Sequence, residues 1–130
     1  MMLDSLRRYK AGVFQALAHP TRVAIVEHLN HGELSVGQLC EKVGVEQANA
    51  SQHLAVLRNK HIVQTRKAGN QIFYSLRDPA FGKVLDALRE FFLTHMAEAL
   101  ELLRYEQAEA EKSTAGRAKP TSRTKQEAAR

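Results

Sequence analysis

Cysteine is almost missing from this sequence: Cys40 stands alone among 130 residues. One thiol cannot close an intramolecular disulfide, and a reducing, cytoplasmic setting is the expectation. Long apolar runs are missing too. None approaches the roughly 18 residues that a membrane span needs, so no membrane partner is expected. The opening MMLDSLRRYK places Asp4 where a secretory leader would be basic and then apolar, so no leader is expected. There is no Gly-rich phosphate loop, no nucleophile elbow and no HExxH spacing, and the acids are scattered singly. Nothing here points to an enzyme or to a bound cofactor.

What is present suits one soluble domain: 44% hydrophobic and 25% charged residues. The formal net charge is +5 and the pI about 9.6, which favours a polyanionic partner. Residues 109–130 carry six Lys/Arg against three Glu, and residues 1–108 carry thirteen against eleven acids. The body is therefore nearly neutral, with one local basic patch at Arg58, Lys60, Arg66 and Lys67. Two domains of behaviour follow: a folded body over 1–108 and a basic arm over 109–130. From Ser113 onward the arm has no large apolar residue to offset its ordering entropy, so disorder is expected.

The body divides into short helices and one hairpin. Leu3, Leu6, Val13, Phe14 and Leu17 form a helical stripe over 3–18. Pro20 starts a second helix that runs to about Asn30, with Val23, Ile25, Val26 and Leu29 as its apolar set. Ser35 is a fitting N-cap for a third helix over 36–43, which Gly44 stops. A fourth helix follows over 46–59, with Ala50, Leu54 and Leu57 inward. Residues 62–76 hold two β-prone runs around the polar tip Lys67-Ala68-Gly69-Asn70, a β-hairpin pattern. Pro79 opens a last helix to about Tyr105, roughly 40 Å long at 1.5 Å per residue. Its apolar face is wider than a domain this small can cover, so a second identical chain is the expected partner. Leu6, Val13, Leu88, Phe91, Phe92, Met96 and Leu103 are the expected interface residues.

Helix, tight turn, helix, hairpin is a unit that places its second helix in the major groove of duplex DNA. The start of that helix offers Gln47, Asn49, Ser51, Gln52 and His53, with no acid after Glu46. A generic surface helix is richer in Glu and Lys. Gln and Asn can pair bidentately with adenine, and Ser can serve several bases. Arg58, Lys60, Arg66, Lys67 and Asn70 flank this helix or lie on the hairpin, where cations neutralise phosphates and set register.

The segments ALAHPTRVAIVEHL, ELSVGQLCEKVGVEQANASQHLAVLRNKHIV and TRKAGNQIFYSL resemble the ArsR/SmtB family of bacterial repressors. The resemblance spans about residues 10–105 and keeps the order of elements. It implies a mainly α winged helix-turn-helix with one hairpin wing, in the order α-α-α-α-β-β-α. It further implies a homodimer joined through its terminal helices, bound to a partly palindromic operator and released by an inducer. Glu46 departs from the family pattern, which has Ser or another capping residue there.

The family's metal sites are not carried over. Where some members have ELCVCDL, this chain has Glu33–Leu39, with Ser35 and Gly37 at the thiol positions. Aligned at Asp78, the site on the last helix would fall on Ala80, Phe91 and Thr94, which are not ligands. No metal is therefore assigned, and the inducer stays open. Two alternatives remain beside a repressor of this type. One is a metal- or thiol-reactive sensor using Cys40 with His28 and His31, or the His95/Glu98 pair. The other is a winged-helix module whose partner is a protein.

Overall fold

The computed structural model describes the backbone of residues 1–128 and the side chains of residues 1–116. Helix α1 (Met2–Leu17) leads into α2 (Pro20–Leu29) through a two-residue break. His19 makes the break productive. Its Nδ1 accepts the Thr21 N–H at 3.1 Å, and Pro20 follows at the first helical position, where its missing N–H costs nothing. Arg22 then reaches back to the end of α1 and donates to the Ala16 carbonyl at 3.0 Å. One side chain of α2 thus satisfies an acceptor that α1 leaves open.

A short strand, β1 (Leu34–Ser35), precedes α3 (Val36–Val43). Ser35 and Gln38 form a reciprocal capping box, with bonds of 3.2 and 2.9 Å. Gly44 closes α3 at φ 77°, a left-handed position that favours glycine, and its N–H donates to the Cys40 carbonyl. Helix α4 (Gln47–Asn59) begins after Glu46, which makes no side-chain cap. Strands β2 (Val63–Ala68) and β3 (Gln71–Leu76) pair antiparallel in a register running from Val63–Leu76 to Ala68–Gln71.

The sheet has three strands, in the order β1-β3-β2. The expected element order lacked β1, so it is corrected to α-α-β-α-α-β-β-α. Two residues carry no alternation to read, and β1 exists because Leu34 and Ser35 meet Tyr74 and Phe73 of β3. The hairpin turn is also tighter than its polar tip suggested. Only Gly69 and Asn70 lie outside the strands, with Gly69 at φ 61°, as two-residue hairpins with glycine first require.

The core lies where α1, α2, α3, α4 and the sheet converge. Ile25, Val26, Leu39, Leu54, Leu57 and Ile62 are its fully buried side chains. At about 1.5–3 kcal/mol for each buried aliphatic side chain, this cluster fixes how α4 sits on α2 and α3. Tyr74, Leu76, Phe81 and Leu85 pack against it half-buried.

Helix α5 (Ala80–Ala128) starts on Asp78, whose carboxylate accepts the Ala80 N–H at 2.8 Å. It continues past Tyr105, where the apolar stripe had suggested an end. Residues 106–112 (EQAEAEK) are strong helix formers, and propensity carries the helix on without a face to bury. Met1–Leu88 and the part from Arg89 onward form separate compact units. In the second, Phe91, Phe92, Met96, Leu100 and Leu103 are exposed. The arm expected to be disordered from Ser113 onward instead continues α5 as far as Ala128, and the side chains of residues 117–130 lie outside the described residues. Among the described residues, no helix is long and apolar enough to cross a membrane.

Candidate nucleic-acid interface

Ala50, Leu54 and Leu57 bury one side of α4. At 100° per residue the opposite side must face outward, and Ala48, Gln52, Val56 and Asn59 occupy it. Gln47, Asn49 and Ser51 are exposed as well, so four of the five residues expected to read bases stand clear of the core at the start of α4. Ala48 was not among the expected residues. Its exposed methyl sits between Gln47 and Asn49, and a small apolar side chain there can meet a thymine methyl.

His53 is different. It flanks the buried stripe next to Leu54, and its ring turns onto His19, with centroids 4.3 Å apart and planes tilted by 38°. The ring is half-buried, not outward. Desolvation first, then the nearby His19 and Arg22, hold its pKa below the ordinary value. This corrects its placement on the outward face. His53 ties the recognition helix to the start of α2.

The basic residues do not form one patch. Arg58 is exposed and lines a cleft of about 640 Å³ between α4 and the sheet. Lys60 ends α4 and runs toward α1, with its Nζ 3.2 Å from where a Cβ on Gly12 would stand. On β2, Arg66 and Lys67 are consecutive and therefore point to opposite faces of the wing. Arg66 is engaged within the chain. Its guanidinium donates to both carboxylate oxygens of Glu33, at 2.6 and 3.2 Å, and lies 5.0 Å from the centroid of Phe73. The pairing lowers the Glu33 pKa and raises that of Arg66. Lys67 and Asn70 are exposed near the wing tip, without an ion pair among the described residues.

Sequence reasoning missed Glu33 as a partner of the wing, because 33 residues separate it from Arg66. It also missed Arg77, which lines the same cleft as Arg58. His61 escaped attention for another reason. It is the one non-glycine residue with positive φ among the described residues, at 58°, and a histidine after a helix gives no hint of a left-handed turn.

The expected interface residues also have places. Leu6, Leu88, Phe91, Phe92, Met96 and Leu103 are exposed in the single chain. Val13 is half-buried and lines an apolar groove of about 250 Å³ with Tyr9, Phe14, Leu17, Phe81 and Val84. As for metal, His28 and Cys40 are half-buried and His31 is exposed. No group of three or more His, Cys, Asp or Glu capable of holding an ion occurs among the described residues. His95 instead meets Glu98 at 3.5 Å and the Phe91 ring edge-on at 4.2 Å.

Residues 19–65, from the cap of α2 into β2, match the profile of the bacterial regulatory protein, arsR family. The chain is 39% identical over 89 residues to a biofilm growth-associated repressor of Xylella fastidiosa, covering 68% of this chain and 78% of that one. It is 36% identical over 104 residues to the HTH-type transcriptional regulator Rv0081 of Mycobacterium tuberculosis, covering 79% and 91%. The crystal structure of Rv0081 superposes with a TM-score of 0.66 over 73% of this chain and 96% of that one. The transcriptional repressor BigR from Xylella fastidiosa superposes with a TM-score of 0.62 at 37% identity, covering 71% and 96%.

Proposed function

The chain belongs to the ArsR family of bacterial regulatory proteins, and from that premise we propose that it is a dimeric, sequence-specific repressor working on a duplex operator in the cytoplasm. The family is one of DNA-binding transcriptional regulators, not of enzymes. The observation that carries the repressor reading is the exposed, acid-free start of α4 (Gln47, Asn49, Ser51 and Gln52) beside a two-stranded wing tipped by Lys67 and Asn70. Gln and Asn read base edges in the major groove. Arg58 and Lys67 neutralise phosphates on either side and set the register.

Dimerisation follows from the exposed apolar residues on α1 and α5. Two copies facing one another cover surface that one copy leaves in water. A two-fold dimer then presents two recognition helices to two half-sites about one helical turn apart. Residues 1–108 act as the DNA-binding and dimerisation domain, and the basic 109–130 segment adds sequence-independent phosphate attraction. Ser35 and Gly37 leave the thiolate site of some relatives unbuilt, so the inducer is of another chemistry or acts elsewhere.

Fluorescence anisotropy on a duplex from the chain's own upstream region, against a scrambled duplex at equal salt, tests this reading. A preference of about a thousandfold or more is expected. Gln52→Ala should cost about 1–3 kcal/mol on the operator and leave the scrambled duplex unaffected. Equal loss on both duplexes would remove Gln52 from base reading.

A further inference from the structure

Helix α4 ends in a turn that glycine ordinarily makes. The Ile62 N–H donates to the Leu57 carbonyl at 3.0 Å and the His61 N–H to the Arg58 carbonyl at 3.0 Å. This paired arrangement requires a left-handed residue after the cap. His61 supplies it at φ 58°, although a side chain there carries a strain that glycine would spare. The imidazole is exposed and lines the 640 Å³ cleft together with Arg58 and Arg77. Arg77 is held in place by its backbone, whose N–H donates to the Ile62 carbonyl at 3.0 Å. Ser51, Gln64 and Tyr74 supply neutral polar groups, and no carboxylate lines this cleft. Asp78 lies on the far side of His61 and Arg77, in a second cavity of about 420 Å³, and one of its oxygens already accepts the Ala80 N–H.

We propose that Arg58, His61 and Arg77 form an oxyanion site in the cleft between α4 and the wing, and that its occupant is a backbone phosphodiester of the bound duplex. The proposal rests on the repressor reading above. Three features point to DNA rather than to a free metabolite. The cleft opens beside Ser51 on the base-reading helix. Its opposite wall is the wing strand carrying Thr65, two residues before Lys67. Its donors come from successive parts of the fold: the end of α4, the turn after it and the residue that follows β3. The competing account is that these side chains only offset the negative end of the α4 dipole. In that case they would contribute to stability and nothing to binding.

The two accounts give opposite signs at His61. His61→Gly keeps the left-handed turn and removes the imidazole, and His61→Asn does the same with a residue that tolerates positive φ. Each should melt no lower than the parent, and His61→Gly a few degrees higher. Each should bind DNA several-fold more weakly. Arg77→Gln should lose about tenfold, equally on operator and scrambled duplex, and flatten the slope of log K against log salt by about 0.9. Unchanged binding and salt slope in Arg77→Gln and in both His61 variants would overturn the site. A lower melting temperature with unchanged binding would overturn it in favour of the dipole account. The repressor reading fails separately, if the unsubstituted protein does not distinguish its operator from the scrambled duplex.

Discussion

Gly82 sits in the first turn of α5, buried against the end of α2. A methyl group added there would meet the Asn30 side chain: Nδ2 at 2.9 Å, and Oδ1 and Cγ closer still. Asn30 is also the residue that fastens the two helices, since its Nδ2 donates to the Asp86 carboxylate at 3.3 Å. Gly82→Ala must therefore push Asn30 out and lose that bond, or lift α5 and loosen Phe81 and Leu85 from the core. The first route costs about 0.5–1.5 kcal/mol for the bond, and the second about 1–3 kcal/mol for overpacking. The cheaper route decides, so a loss of about 0.5–1.5 kcal/mol is expected by chemical denaturation at fixed protein concentration. With Asn30→Ala already in place, the obstacle is gone. Gly82→Ala then gains from replacing glycine in a helix, by up to about 1 kcal/mol. The coupling between the two sites should thus be about 0.5–2.5 kcal/mol. If Gly82→Ala cost the same in both backgrounds, Asn30 would not be what requires glycine, and the reasoning would be wrong.

Three further outcomes are expected. Glu33→Gln releases Arg66 from its bidentate ion pair, so DNA binding should tighten several-fold and the salt slope steepen by up to about 0.9; gel-shift titrations at several salt concentrations check both, and unchanged values would mean that Arg66 lies outside the interface. His53 has its pKa lowered by burial, His19 and Arg22, so below its ordinary value of 6.5 the unfolded chain takes up the proton more readily. Stability should fall as pH drops through 6.5 toward the folded pKa, then level off; melting curves of His53→Phe, which keeps a ring on His19 without a proton to bind, should show a weaker dependence. Phe92→Glu places a charge within the exposed apolar stripe of α5 and should shift sedimentation equilibrium toward monomer, and a dimer of unchanged strength would move the interface elsewhere.

Residues that act on their immediate neighbours were legible. Ser35, Gly44 and Pro20 marked the limits of α2 and α3, because capping is chemistry over three or four residues. The polar start of α4 was legible because the periodicity of Ala50, Leu54 and Leu57 leaves the opposite side for solvent. Features made by distant residues were not. Strand β1 exists only against β3, the Arg66 charge is met by Glu33, and the His53 ring is turned by His19. For Arg66 and His53 a local reading named the residue and missed the partner that decides its role.

The last helix shows a different limit of sequence patterns. Periodicity reports that a face is apolar, and says nothing of which chain will cover it. Phe81 and Leu85 read the same as Phe92 and Met96, yet the first pair packs on the core and the second stays exposed. Only the folded single chain separates the two sets. What remains in water after folding is the part of the pattern that selection for this fold alone cannot explain. A stripe of aromatic and aliphatic side chains left bare on a helix argues for a second copy more strongly than its hydrophobicity did in the sequence. The same reasoning applies to His61. A left-handed histidine where glycine would be easier is a local cost, and a local cost that persists at the edge of a basic cleft is a reason to look there for a ligand.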